Sequence, residues 1–154
     1  MNIIKYFLVV LAIIFFTSCS KNTEKESLIK EKNLESQVYE AYEEGMKSLN
    51  EGDAIFAAKK FNEAEILFPQ SIMAPKSALM AAYSYYSQNY YLDAIAELER
   101  FLRVYPSHKN IDYANYLLAV SFYELIVDEK KDTQSISNAK KYFTIVKKKY
   151  PNTE

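Results

Sequence analysis

Apolar side chains recur every three or four residues at Tyr91, Ala94, Ile95, Leu98, Phe101, Leu102 and Tyr105. That spacing is one stripe of an amphipathic helix with a polar back. Pro106 ends it, because proline has no amide donor and crowds the preceding turn. Asn110 or Asp112 can then cap the following helix through a side-chain oxygen. The stretch thus reads as the second helix of one helical hairpin and the entry to another.

The same design recurs along the chain. Ala57, Phe61, Ala64 and Pro69 return as Ala94, Leu98, Phe101 and Pro106 at a shift of 37 residues. They return again as Ala139, Phe143, Val146 and Pro151 after a further 45, with internal spacings of 4, 3 and 5 in every set. Residues 80–85 lie over residues 118–123 at a shift of 38, so the third unit holds seven extra residues, within 127–137. That insertion is charged, with Asp128, Glu129, Lys130, Lys131 and Asp132. A repeat of this length predicts an all-α solenoid of three helical hairpins, at about residues 36–70, 71–108 and 109–154. Small alanines open each second helix, larger apolar residues fill the gap behind them, and proline closes the unit. These positions resemble the tetratricopeptide repeat, whose small residue in the first helix is matched by Gly45. Such units cannot bury an apolar face alone and stack into a superhelix with a concave groove.

A different pattern precedes the repeats. Lys5, an apolar run of 11 residues at 6–16, and the small residues Thr17 and Ser18 have the layout of a secretory signal. The run is well short of the roughly 20 residues a spanning helix needs. Phe16, Thr17, Ser18 and Cys19 resemble the lipobox of bacterial lipoproteins, with Phe16 where that family has an aliphatic. The resemblance implies removal of residues 1–18 and acylation of Cys19, whose chains would anchor the protein to a membrane. Ser20, in place of an aspartate, resembles an outer-membrane address. Residues 19–35 are polar and mixed in charge, a composition that predicts a flexible tether.

Composition narrows the function. Two glycines and four prolines in 154 residues are too few for a turn-rich β fold, and apolar residues at 49% can fill a core. The formal charge is −1, becoming −2 when Lys5 leaves with the leader, so nucleic acid is not an expected partner. One cysteine and one histidine provide neither an internal disulfide nor a zinc set. No catalytic constellation is present in the sequence. His108 reads as a surface or turn-stabilising residue, and both glycines belong to a helix and its turn rather than a phosphate loop. Lys147, Lys148 and Lys149 fit the last turn of a helix, where cations complement the dipole. Asp93, Glu97, Glu99 and Arg100 read as a solvated helix face. The expected protein is not an enzyme and takes no cofactor or metal.

In tetratricopeptide proteins the first helix of each hairpin lines the groove. Mapping those positions gives Tyr39, Tyr42, Glu43, Met46 and Asn50 in the first unit. The second supplies Lys76, Leu79, Met80, Tyr83 and Tyr86, and the third Leu117 and Ser121. Tyrosine and methionine there suit an extended or helical apolar peptide, because both offer contact area with adaptable geometry.

Pro106, His108, Asn110, Ile111, Asp112 and Tyr113, followed by Tyr116, resemble the segment joining the second and third repeats of the BamD family. The lipobox, the tether and the long loop of the third unit also fall where they do in that family. The resemblance implies a non-enzymatic scaffold subunit of the β-barrel assembly machinery, lipid-anchored on the periplasmic face of the outer membrane. Its expected partners are a BamA-like barrel subunit, accessory Bam lipoproteins and unfolded outer-membrane proteins. In the family the N-terminal repeats are proposed to contact the C-terminal targeting strand of substrates, and the C-terminal repeats to hold the barrel subunit. About five repeats are usual there, so a chain ending at Glu154 without a capping helix is expected to be truncated. The alternative is a tetratricopeptide lipoprotein regulating peptidoglycan synthesis or the Tol-Pal system. A hydrolase accessory domain has no residue in its favour.

Overall fold

The structure, a computed structural model, describes residues 24–128, 130 and 132–151. Among the described residues six helices follow one another: α1 (Glu24–Asn50), α2 (Ala54–Leu67), α3 (Met73–Ser87), α4 (Tyr91–Val104), α5 (Ile111–Glu124) and α6 (Thr133–Lys149). No strand occurs among the described residues. They pair as three hairpins, an arrangement consistent with a tetratricopeptide-like solenoid. The chain divides into two compact units, and the packing and the site described below belong to the larger, Asn33–Glu154.

The first two hairpins close where the sequence allows a left-handed residue. Gly52 (φ 82°) turns α1 into α2, and Asn89 (φ 65°) turns α3 into α4. The two lie 37 residues apart, the repeat shift itself. Asp53 then caps α2 by accepting the Phe56 amide at 3.0 Å. Helix α4 stops at Val104, two residues before Pro106, as the missing donor requires.

Two apolar clusters hold the stack. The first joins Val38, Ala41 and Tyr42 of α1 to Ala57, Ala58, Phe61 and Ala64 of α2, with Ala81 of α3. The second joins Ala78, Leu79 and Ala82 to Ile95, Leu98 and Phe101, then to Ala114, Leu117, Leu118, Phe122 and Ala139. Phe61, Leu98 and Phe101 are fully buried, a burial worth about 1.5–3 kcal/mol for each side chain. Fully buried alanines between them let neighbouring helices approach closely. Gly45 takes this furthest: a Cβ there would stand 2.9 Å from two ring atoms of Phe61.

Two expectations are corrected. Helix α1 reaches back to Glu24, so the segment read as a tether enters a helix there; its lysines and glutamates are good helix formers. Asn110 occupies the N-cap position of α5, but its side chain makes no capping bond. The signal segment, Cys19, Glu129 and Lys131 lie outside the described residues. Among the described residues, no helix is long and apolar enough to cross a membrane.

Candidate functional site

The first helices of the second and third hairpins, α3 and α5, enclose a cleft of about 330 Å³ lined by Lys76, Leu79, Met80, Tyr83, Asn110 and Tyr113. Helix periodicity delivers the α3 residues. Lys76, Met80 and Tyr83 lie three and four apart on one face. Tyr113 is in the first turn of α5, so the turn between hairpins aims it at α3. The Lys76 ammonium sits 4.6 Å from the centroid of the Tyr42 ring, fixing one end of the cleft to α1.

Tyr83 and Tyr113 line the cleft, with Tyr116 one turn further along α5. Tyr83, Tyr113 and Tyr116 are exposed at 36%, 39% and 47%. Burial pushes the Tyr113 phenol above its ordinary range, and the phenolates that would form at Tyr83, Tyr86 and Tyr116 push it further. Tyr86 is raised as well, by burial first and then by Glu124 and its tyrosine neighbours. Tyr86 and Tyr113 therefore stay uncharged hydrogen-bond donors at neutral pH. A wall of phenols with a thioether and one ammonium suits a peptide with apolar or aromatic side chains and an anionic group. Among the described residues, no group of three or more His, Cys, Asp or Glu could hold a metal ion.

The groove mapping meets this geometry unevenly. Lys76, Met80 and Tyr83 line the cleft, and Leu79 forms its floor while 94% buried by its 6% exposure. Tyr86 packs against the second cluster with its ring 5.9 Å from that of Tyr91. Tyr39 is exposed but lines a separate cleft with Val38, Phe68 and Met73. Met46 packs against the first cluster, and Asn50 and Glu43 face solvent. Tyr42, Leu117 and Ser121 are corrected to the core. The Tyr42 ring meets Phe61 edge-on at 5.1 Å, Leu117 is 2% exposed, and the buried Ser121 hydroxyl donates to the Leu117 carbonyl at 2.8 Å. Adjacent hairpins pack on these positions, which a mapping by single-helix register cannot foresee.

The turn motif splits its duties. His108 packs its ring edge against Phe101 at 5.6 Å, and its Nδ1 accepts the Asn110 amide at 3.3 Å. It stabilises the turn. Ile111 packs against the second cluster, while Pro106 is exposed and Asp112 lies in the first turn of α5. Asn110 and Tyr113 reach the cleft, which the motif alone did not reveal.

A second arrangement went unread in the sequence. Arg100 of α4 grips the buried Glu65 of α2 with two parallel bonds, Nη1 to Oε1 at 2.8 Å and Nη2 to Oε2 at 2.6 Å. Its Nε donates to Glu97 at 2.9 Å, and its Nη2 also reaches the Asn62 side-chain oxygen at 3.3 Å. The Tyr105 hydroxyl donates to Glu65 Oε1 at 2.7 Å. These bonds to Glu65 hold the Arg100 guanidinium firmly protonated, and burial raises the Tyr105 phenol well above its usual range. Arg100 and Glu97 thus belong to a junction between hairpins, not to a solvated face.

A family model described as "YfiO: Outer membrane lipoprotein" matches residues 34–154. Similar proteins include the "Outer membrane protein assembly factor BamD" of Caulobacter vibrioides, 34% identical over 136 residues, covering 88% of this chain and 44% of that protein. The protein of that name from Rickettsia prowazekii is 34% identical over 113 residues, 73% of this chain and 45% of its own length. That from Neisseria gonorrhoeae is 40% identical over 80 residues, 52% and 30%. The chain spans less than half the length of these curated relatives.

Proposed function

The chain belongs to the YfiO/BamD family, and from that premise we propose that it is a scaffold for outer-membrane protein assembly that receives unfolded barrel proteins in the α3–α5 cleft. It performs no catalysis in this reading. The protein sits at the periplasmic face of the outer membrane, held by acyl chains on Cys19, and works beside a BamA-like barrel subunit and accessory Bam lipoproteins. The observation that supports it is the convergence of Asn110 and Tyr113, from the turn motif, with Lys76, Met80 and Tyr83 in one cleft. An extended peptide with an aromatic end would lay its ring on the tyrosines and its carboxylate near Lys76. Rigid two-torsion phenols give contact area at low ordering cost.

Binding of a fluorescein-labelled peptide, of alternating apolar and polar residues ending in a phenylalanine carboxylate, tests this by anisotropy. Tyr83→Ala is expected to weaken binding about tenfold at unchanged helicity, the scale of one lost aromatic contact. Unchanged affinity at unchanged helicity would remove the cleft assignment. Co-purification from detergent-solubilised envelopes tests the wider role. A large barrel protein with periplasmic repeats is the expected partner; a cell-wall synthase or Tol-Pal components instead would overturn it.

A further inference from the structure

We infer that the Glu65–Arg100–Tyr105 junction is a positioning device for the cleft, setting the wall formed by Asn110 and Tyr113. The inference rests on the peptide-binding reading of that cleft. The junction and the cleft share no side chain, yet a short run of bonded groups connects them. Glu65 Oε1 accepts the Tyr105 hydroxyl at 2.7 Å. The Tyr105 carbonyl accepts the His108 amide at 3.1 Å, and His108 Nδ1 accepts the Asn110 amide at 3.3 Å. The His108 carbonyl accepts the Ile111 amide at 3.1 Å, and the Asn110 carbonyl accepts the Ala114 amide at 3.0 Å, which starts α5. Phe101 backs this run, with the Tyr105 ring at 5.5 Å and the His108 ring at 5.6 Å.

Rigidity at both ends gives this run its effect. Glu65 is fixed by the two-pronged Arg100 grip, so the Tyr105 hydroxyl has a stationary acceptor. Asn110 has no capping bond of its own, so its place depends on the backbone that His108 holds. Tyr113 follows in the first turn of α5 and moves with it. Both walls share the second cluster, through Leu79 of α3 and Ala114, Leu117 and Leu118 of α5, but only the α5 entry, at Asn110, is also tied to this run of bonds. Losing the junction would shift one wall against the other, and a binding cleft tolerates little such looseness.

Tyr105→Phe is the sharpest probe, because it removes one hydroxyl and keeps the ring on Phe101. His108→Phe is its companion, keeping the ring contact and removing the Nδ1 acceptor. In the full chain each is expected to weaken binding of the fluorescein peptide roughly two- to tenfold, the span that one hydrogen bond covers. In the Tyr113→Ala background Tyr105→Phe is expected to have almost no added effect, since coupled residues are not additive. A purely structural role would give additive losses in every background, and that result would overturn the inference. Amide exchange read by NMR gives a second test without peptide: Tyr105→Phe should speed exchange at the Asn110 and Ile111 amides while leaving those of α3 unchanged. Unchanged exchange at Asn110 would overturn the coupling even with the cleft binding peptide. Faster exchange there, with no peptide bound by any form of the protein, would support the coupling and sink the peptide reading instead.

Discussion

The second and third hairpins carry the same repeat positions in different surroundings. Ala94, Leu98 and Phe101 on α4 have no solvent exposure, whereas Phe143, the α6 counterpart of Leu98, is 38% exposed and Val146 is half-buried. Helix α4 is packed by α3 before it and α5 after it, while the described packing of α6 is against α5. Only Ala139, facing α5, reaches core burial on α6, at 4% exposure. The repeat spacing therefore marks which side chains can be buried; a neighbouring helix on each side is what buries them. The junctions differ too. Glu65 and Arg100 meet between α2 and α4, but the residues one repeat further on are Leu102 and Ile145.

The largest test of this contrast is a pair of truncations. Phe101→Ala is expected to cost about 3–5 kcal/mol, because the ring is enclosed and leaves a cavity. Phe143→Ala is expected to cost about 1–2 kcal/mol, since much of its ring already meets water. Urea denaturation of the two variants reads the difference, and equal losses would mean that α6 is covered as α4 is.

The next test concerns how each hairpin fits its own two helices. Gly45 faces the fully buried Phe61, and one repeat on Ala82 and Leu98 share the second cluster. The smaller residue accompanies the larger partner. Gly45→Ala is expected to cost about 1–3 kcal/mol by overpacking. Adding Phe61→Leu, which writes the second hairpin's pair into the first, should return part of that loss. A double variant less stable than the sum of its singles would break the size-matching account.

The smallest effect is absent at neutral pH. Tyr85, Tyr86 and Tyr113 are raised above the ordinary phenol value of 10.0, chiefly by burial, and Tyr105 is raised for the same first reason. A phenol whose folded pKa exceeds its unfolded value binds its proton more tightly when folded. The stability this contributes is complete below about pH 10 and is lost as pH rises through the folded values. Thermal melts should therefore fall above pH 10. If the Tyr105→Phe variant fell just as steeply, the junction tyrosine would not be among the responsible groups.

Much of the candidate site was legible because it lies along one helix. Lys76, Met80 and Tyr83 came from the tetratricopeptide mapping of first-helix positions, and the helical period puts them on one face of α3. Asn110 and Tyr113 were visible as a motif but not as cleft residues, since their role depends on how far α5 leans toward α3. Tyr42 and Ser121 went the other way, from groove to core, because neighbouring packing reaches beyond a single helical stripe. Glu65 and Arg100 could not be paired on paper. They stand 35 residues apart, not the repeat shift of 37, and only the offset between stacked hairpins brings them together.

The sequence by itself determined the repeat helices and their grouping into hairpins, though not how far α1 extends before the first repeat. Those features depend on local periodicity, proline and two left-handed turn residues, all of which act within a few positions of the chain. The tertiary structure alone decided which tyrosines remain open, which wall Tyr113 joins and which acid holds Arg100. Each of those depends on the angle and offset between hairpins, and these arise where side chains distant in sequence share one packed space.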